Sequence, residues 1–253
     1  MVKRDEILRL LGQIELERGV RIVFACESGS REWGFASDDS DYDVRFVYLR
    51  PLGDYLRLDE PRDVIEMPES DEIDAVGWDL RKFLRLLRNS NPSAIEWLGS
   101  QTVYTEDSAF SSARKLREPC FSPSASAWHY YGMAKNHDFR YLRRETAHVK
   151  KVLYVVRAIL AAEWSITRLS PPPIRFDELR NAMPCASMAP DVDFLLAMKA
   201  AGNERCIIPH PDAVEEWAAG ALEALPARIK AIEEHKRPEW GTMNRAFHDI
   251  AGF

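Results

Sequence analysis

The chain has 253 residues, 46% of them hydrophobic and 29% charged, so it can bury a sizeable core as one large domain or two of ordinary size. A net charge of −6 argues against broad, non-specific binding to nucleic acid, although it leaves room for a local basic face. The amphipathic N-terminus lacks the apolar region and cleavage site of a signal peptide, and no apolar run is long enough to span a membrane. Four scattered cysteines contain no CxxC pair. We therefore expect a cytoplasmic protein with reduced thiols and no membrane partner.

The first elements of the chain are a helix and two strands. Apolar residues at helical spacing predict a helix over residues 5–17. The run VRIVFAC (20–26) is β-branched and apolar on both faces, which is typical of a central strand. The run YDVRFVYL (42–49) alternates between apolar and polar residues, so it predicts a half-buried strand.

Two shorter strands and a helix come next. RDVIEM (62–67) and EIDAVGW (72–78) are predicted as strands, with a turn in PESD (68–71) between them. Asp79 stands at the N-cap position of an amphipathic helix that is predicted to end at Asn91-Pro92. This half therefore predicts an α+β domain with a mixed or antiparallel sheet.

From about residue 119 the composition changes. EPCFSPSAS (118–126) resembles a linker, and almost everything after it has helical periodicity. A proline-rich connection is expected at SPPPIRF, and the last helix contains Pro226, where a kink is expected. Helices are predicted at 128–145, 148–164, 191–202 and 212–236. We divide the chain into residues 1–118 and an all-helical domain, 119–253, with the ligand site expected in the cleft between them.

The acid-rich run ESGSREWGFASDDSDYD (27–43) follows the first predicted strand. Asp39, Asp41 and Asp43 have the spacing of a calcium loop, but Val44 and Arg50 stand where that loop needs Gly and Glu. A solvated turn explains ASDDSD but not Asp41 and Asp43, which share one face of a strand and repel each other. A divalent cation would cancel that repulsion, and Mg²⁺ prefers one or two carboxylates together with substrate phosphates.

The start of the same run supplies a complement to these carboxylates. Gly29 and Ser30 follow the buried strand directly, so they allow a tight turn whose backbone N–H groups and hydroxyl can hold phosphate oxygens. Ten residues separate Ser30 from Asp41. The combined pattern predicts a phosphate cradle and a metal site close together.

The pattern G-S-(ten residues)-D-Y-D resembles the signature of the DNA polymerase β-like nucleotidyltransferase superfamily. More closely, ACESGSREWGFASDDSDYDVRFVYLRP, IDAVGWDLRKFLRLLRNSNPSAIEWLGS and KKVLYVVRAILAAEW resemble a bacterial and phage branch of predicted nucleotidyltransferases. That branch includes the RNA-ligase-associated polymerase-like proteins. The resemblance covers roughly residues 20–165 and implies a polymerase β-like catalytic domain followed by a helical domain that closes the nucleotide cleft.

The resemblance also implies roles for particular residues. Gly29 and Ser30 would hold the terminal phosphates of the nucleotide, and Asp41 and Asp43 would ligate Mg²⁺, with Mn²⁺ as the alternative. A third carboxylate on a later strand would complete the second metal site and help to deprotonate the attacking hydroxyl. We assign that place to Asp74 in EIDAV.

Two other acidic residues remain candidates for the third carboxylate. Asp79 is the first rival, although a helix N-cap explains it without catalysis. Glu66 in VIEM is the second. Arg45 shares the strand face of Asp41 and Asp43, where it is compatible both with an ion pair and with a substrate contact.

Basic residues of the helical half are candidates for the triphosphate. Members of the superfamily often place a basic residue there, and Lys150 or Lys151 could fill that role. Lys150, Tyr154 and Arg157 form one stripe, for which a solvated basic face is the alternative. The runs RLLR (85–88), RYLRRE (140–145) and WHYYGM (128–133) are better explained by solvated or core helix faces than by contacts with nucleic acid or a base.

The sequence therefore predicts a magnesium-dependent enzyme that transfers an NMP from an NTP to a hydroxyl and releases pyrophosphate. An RNA 3′ end or tRNA is the favoured acceptor. Transfer of AMP to a protein or a small molecule is an alternative, and so is a non-catalytic module that binds a nucleotide or a partner.

Overall fold

In this computed structural model, a five-stranded sheet forms the centre of the first half of the chain. The structure describes residues 2–37, 40–67, 72–137, 146–183, 187–202, 207–209, 211–233 and 235–252. The elements of the first half are α1 (Val2–Arg18), β1 (Arg21–Ser28), α2 (Gly29–Glu32), β2 (Tyr42–Leu49), α3 (Leu52–Tyr55), β3 (Val64–Glu66), β4 (Ile73–Asp79), α4 (Leu80–Arg88), α5 (Pro92–Gly99), β5 (Val103–Glu106), a 3-10 turn (Ser108–Phe110), α6 (Ser111–Arg114) and α7 (Arg117–Cys120). All four predicted strands are present. The turn predicted at 68–71 lies outside the described residues.

The sheet is mixed, in the order β3-β4-β2-β1-β5. β1 pairs antiparallel with β2 and β5, and β3 pairs antiparallel with β4, whereas β2 and β4 run parallel. Parallel strands begin at the same edge of a sheet, so the first residues of β2 and β4 lie side by side. Asp43 is opposite Asp74 in this register.

Helices cover both faces of the sheet. The buried face of α1 contributes Ile7, Leu11 and Ile14 to the core on one side, together with Phe46 of β2. The helices α4 and α5 cover the other side. α4 ends at Arg88 rather than at residue 91, because Asn91 caps α5 instead: its side chain accepts a hydrogen bond from the Ala94 N–H at 3.2 Å.

The second half is mainly helical. Its elements are α8 (Pro123–His137), β6 (Thr146–His148), α9 (Val149–Arg168), α10 (Phe176–Ala182), α11 (Ala189–Ala200), β7 (Ile207–Pro209), α12 (Asp212–Lys230) and α13 (Trp240–Ala251). The helix α9 is the centre of a core to which α8, α11 and α12 contribute. Among the described residues, no helix is long and apolar enough to cross a membrane.

The structure of this half differs from the prediction of helices in three places. Strand β6 pairs with β7, and each has only three residues, too few for alternation to be visible in the sequence. Helix α12 contains Pro226 as expected but ends at Lys230. Helix α8 begins at Pro123, inside the stretch that resembles a linker, and residues 138–145 of the predicted helix lie outside the described residues.

The C-terminal helix α13 packs against the first half. Met243, Ala246 and Ile250 of α13 are buried in one cluster with residues of α4 and α5 on the sheet. Cys120 and Phe121, which follow the proposed boundary at residue 118, belong to the same cluster. The division into 1–118 and 119–253 stays a prediction, and any cut there would separate α13 from the surface it covers.

Candidate functional site

Two predicted carboxylates meet at the end of the sheet where β2 and β4 begin. Nη2 of Arg45 donates a hydrogen bond to Oδ1 of Asp43 at 2.8 Å and to Oδ2 of Asp74 at 2.8 Å. Nη1 of the same side chain donates to the backbone oxygen of Asp74 at 2.9 Å. Of the two interpretations open for Arg45, an ion pair or a substrate contact, the ion pair is present, and it joins β2 to β4. All three side chains are partly exposed, so a ligand can reach them.

Asp41 lies just before β2 and is exposed. Its backbone carbonyl accepts a hydrogen bond from Nε of Arg31 at 3.2 Å, and the guanidinium of Arg31 lies 3.9 Å from the ring centroid of Tyr42. Arg31 also donates to the Ser40 carbonyl at 2.6 Å. The segment that enters β2 is therefore held against α2, and the charge of Asp41 acts on the Asp43 carboxyl.

Burial and four charged neighbours act on the Asp43 carboxyl. Burial raises the pKa of the Asp43 carboxyl above its ordinary value. The positive charges of Arg45 and Lys150 oppose that rise, in this order of size. The negative charges of Asp74 and Asp41 add to it. Lys150 therefore acts on this site from helix α9, whereas the contribution of Lys151 to nucleotide binding stays a prediction.

Gly29 brings the turn after β1 into direct contact with Asp43. Its φ angle is +61°, and a Cβ built on it would lie 1.9 Å from Oδ2 of Asp43. Ser28, the preceding residue, pairs with Asp43 across β1 and β2. Ser30 follows in the single turn of α2 and is buried. The Gly-Ser turn and the aspartates thus form one contiguous site, although phosphate binding by Gly29 and Ser30 stays a prediction.

Glu27 is a buried residue of the site that the sequence reasoning missed. Its Oε1 accepts a hydrogen bond from the Asp43 N–H at 2.7 Å, and its Oε2 accepts a short one from the Tyr104 hydroxyl. Burial raises the pKa of Glu27. The available signal was its position at the end of a buried strand, directly before the turn. Glu27 therefore fixes the backbone of Asp43 through this hydrogen bond.

Trp33 connects the site to the helical half. Its ring lies 5.1 Å from that of Tyr154, edge to face, and the guanidinium of Arg157 lies 4.1 Å from its centroid. Arg157 is only 3% exposed and donates to Oε1 of Glu96 at 2.9 Å. The alternative of a solvated basic stripe is therefore wrong at Arg157. The stripe on α9 faces the loop that follows the Gly-Ser turn.

The other candidates for the third carboxylate lie elsewhere. Asp79 is at the far end of β4, where it caps α4 by accepting from the Arg81 N–H at 2.8 Å and also accepts from the Tyr55 hydroxyl at 2.9 Å. Glu66 is exposed and forms an ion pair with Arg62. Of the three candidates, Asp74 alone lies beside Asp43.

The donor set suits a hard divalent cation in its chemistry, because carboxylate oxygens are the ligands that Mg²⁺ prefers. Within the described part of the chain, no group of three or more His, Cys, Asp or Glu side chains is arranged as a metal site. The guanidinium of Arg45 lies between Asp43 and Asp74 in this structure. Metal ligation by Asp41, Asp43 and Asp74 stays a prediction that requires Arg45 to release at least one carboxylate.

The mixed sheet, the Gly-Ser turn after β1 and the paired aspartates are features of the polymerase β-like nucleotidyltransferases. The model of the RNA repair pathway DNA polymerase beta family matches residues 3–249, and the chain belongs to this family. The predicted superfamily and fold class are confirmed. The family supports nucleotidyl transfer as the general activity.

Two further proteins are similar to the chain. The uncharacterized protein YcgL of Bacillus subtilis (strain 168) is 39% identical over 246 residues, which cover 96% of this chain and 94% of the relative. A nucleotidyltransferase-like protein from Exiguobacterium sibiricum 255-15, known from a crystal structure, is 13% identical with a TM-score of 0.30, over 94% of this chain and 77% of its own.

Proposed function

We propose that the chain is a magnesium-dependent nucleotidyltransferase that moves an NMP from an NTP to a hydroxyl, with an RNA 3′ end as the favoured acceptor. The observation that carries the proposal is that Asp43 lies against Gly29 and is paired with Asp74 on the neighbouring strand. A phosphate-binding turn beside paired carboxylates is what a displacement at an α-phosphate needs.

The residues of the chain would divide the work. Gly29 and Ser30 bind the terminal phosphates, and Lys150 adds positive charge from α9. Asp41, Asp43 and Asp74 hold the cation, which would stabilise the charge on the attacking and leaving oxygens. The acceptor oxygen forms a bond to the α-phosphorus, the bond to the bridging oxygen of the β-phosphate breaks, and Asp74 receives the hydroxyl proton. Pyrophosphate departs.

Arg45 has a positioning role in this proposal. It holds Asp43 and Asp74 together by its two hydrogen bonds of 2.8 Å when no other cation is bound. This same contact is the observation that favours the non-catalytic alternative, because an ion pair that never opens would exclude a metal. Catalysis therefore requires that divalent cation and Arg45 compete for the two carboxylates.

The test is transfer of label from α-³²P-labelled ATP, CTP, GTP and UTP in Mg²⁺ or Mn²⁺. The acceptors are an RNA oligonucleotide with a free 3′ hydroxyl, the same RNA with a 3′-deoxy end, and total protein. We expect extension of the first RNA only, and at least a ~100-fold lower rate for Asp43→Asn. The matched control is Glu66→Gln, an exposed acid in the same sheet, which should retain the wild-type rate.

Label on protein instead of RNA would show that the acceptor is a protein hydroxyl, and the proposed nucleotidyl transfer would still hold. Equal behaviour of wild type and Asp43→Asn with every acceptor would refute the enzyme proposal. In that case, Mg²⁺ should also fail to change binding of a non-hydrolysable NTP analogue, which isothermal titration calorimetry measures directly.

A further inference from the structure

Helix α4 carries three arginines on one face. Arg81, Arg85 and Arg88 lie at i, i+4 and i+7 on α4, so they project from one face of the helix. Asp79, the N-cap of α4, is roughly 16 Å from Asp74 if β4 rises by about 3.3 Å per residue. The start of α4 therefore lies far from Asp74 along β4, and the residues that line the cavities beside α4 do not include Asp43 or Asp74.

A groove with aromatic walls runs between α4 and α13. It has a volume of about 520 Å³, and Trp240, Phe247 and Tyr55 line it together with Arg85. Trp240 is 51% exposed, which is unusual for so large an apolar ring. The indole is thus available to a flat ligand.

A second cavity, of about 780 Å³, lies where α8 begins and α12 ends. Arg88, Lys230 and Arg237 line it together with Trp128, which is 38% exposed. Ser122, just before α8, also lines it, so the positive end of a 15-residue helix dipole adds to the charge of the side chains.

Arg88 joins the two cavities into one surface. It lines the second cavity, and its guanidinium lies 4.2 Å from the ring centroid of Trp240 in the first. Nε of Arg88 donates to the Pro238 carbonyl at 2.9 Å, and Nη1 of Arg237 donates to Oδ1 of Asn89 at 3.1 Å. The segment before α13 therefore crosses the end of α4 and fixes this geometry.

Arg81, which also lines the groove, forms an ion pair with Glu60, whereas Arg85, Arg88 and Arg237 have no carboxylate partner among the described residues. None of the described residues that line either cavity is Asp or Glu. The hydrogen-bond acceptors of Arg88 and Arg237 are neutral. Arg85 is exposed and forms no ion pair with another described residue. Three guanidinium groups are thus available to an anionic ligand.

We infer that Arg85, Arg88, Arg237, Trp128 and Trp240, here called the basic-aromatic surface, bind a single-stranded RNA. Guanidinium groups pair with phosphates, and exposed indoles stack on bases that are not in a duplex. An acidic peptide would satisfy the charges and leave the two tryptophans unused. The inference rests on the proposed function only for the choice of RNA as the polymer. The acceptor RNA would bind this surface through nucleotides away from its 3′ end, and that end would be extended at the catalytic site.

The test is the fluorescence anisotropy of a fluorescein-labelled 15-nucleotide RNA without NTP and with EDTA, so that catalysis is not needed. The double variant Arg85→Gln/Arg237→Gln is compared with Arg9→Gln/Arg18→Gln, which removes the same charge from exposed positions on α1, across the sheet. We expect affinity to fall at least about tenfold for the first variant and to stay near wild type for the second. The slope of log affinity against log salt should decrease by about 1.4.

Trp240→Ala tests stacking separately. It should weaken RNA binding by about 5-fold to 150-fold without changing the salt slope. Equal affinities of the two double variants would overturn the inference. So would competition by heptaglutamate as effective as that by RNA, or duplex RNA binding as tightly as the single strand.

The outcome is separable from that of the proposed function. Asp41→Asn/Asp43→Asn should bind this RNA as wild type does, because those residues lie outside the basic-aromatic surface. If that variant loses RNA binding and Arg85→Gln/Arg237→Gln retains it, RNA is held at the catalytic site and the inference is refuted. Loss of label transfer with intact RNA binding would instead refute only the proposed enzyme activity.

Discussion

Replacing Gly29 by alanine is expected to damage both stability and the candidate site. A Cβ at this position would lie 1.9 Å from Oδ2 and 2.7 Å from Cγ of Asp43, on a backbone with φ +61°. The left-handed conformation costs an L-residue about 1–2 kcal/mol. Displacing the Asp43 carboxylate breaks its charged hydrogen bond to Arg45, which contributes about 1.5–3 kcal/mol. We therefore expect the free energy of unfolding to fall by roughly 2.5–5 kcal/mol.

Gly19 provides a matched control for the conformational contribution. It has the same φ of +61°, and a Cβ built there has no atom within 4 Å. Gly19→Ala should therefore lose only the conformational part, about 1–2 kcal/mol. Gly12→Ala, in the interior of α1 with open space around it, should gain up to ~1 kcal/mol.

The measurement is urea unfolding followed by tryptophan fluorescence, with free energies from linear extrapolation. In an Asp43→Ala background, Gly29→Ala should lose its excess over Gly19→Ala, because the atoms that it displaces are gone. Label transfer by Gly29→Ala should fall about 100-fold, since Asp43 is misplaced. Equal losses of stability at Gly29 and Gly19 would show that the contact with Asp43 carries no energetic weight.

The remaining predictions concern the carboxylates around the site. Asp74→Asn should lower label transfer at least ~100-fold with little change in stability. Asp79→Ala removes a helix cap, so it should lose about 1–2 kcal/mol of stability and retain label transfer. The reverse pattern would assign the third carboxylate to Asp79. Burial raises the pKa of Glu27 above 4.5, so the folded protein retains a proton that the unfolded chain releases, and the stability contribution of this group falls as the pH rises above about 4.5. Glu27→Gln should therefore become progressively more stable relative to wild type as the pH is raised from about 4.5, measured by urea unfolding, and a difference that does not change with pH would contradict the raised pKa of Glu27. Glu96→Gln leaves the buried charge of Arg157 without its carboxylate, so we expect the free energy of unfolding to fall by about 3 kcal/mol. The KM for NTP should rise. An unchanged Tm would show that the ion pair between Arg157 and Glu96 does not stabilise the fold.

The local elements of this protein could be predicted from its sequence, because they depend on residues that are close in the chain. Alternation over 42–49 predicted β2 at its observed bounds, and Asp79 was recognised as an N-cap from its place before an amphipathic helix. The spacing of Gly29, Ser30, Asp41 and Asp43 was sufficient to indicate the superfamily. All of these signals have periods of a few residues, which a single sequence displays directly.

Long-range contacts decided the rest. Asp74 could be preferred over Asp79 as the third carboxylate by analogy, but only the parallel register of β2 and β4 places it opposite Asp43. In the sequence, Glu27 is one more acid in a polar run. Its role depends on the hydrogen bond that the hydroxyl of Tyr104, far along the chain, donates to it.

The sequence of α13 likewise contains no motif that indicates a function. The role proposed for this helix depends on the surface that it forms with α4. Periodicity shows which face of an element is apolar, whereas the partner of that face is set by packing across the whole chain. The sequence by itself thus determined the first four strands, the long helices before α13 and the class of chemistry. The tertiary structure decided which carboxylates meet, what supports them, and which arginines lie beside the exposed tryptophans.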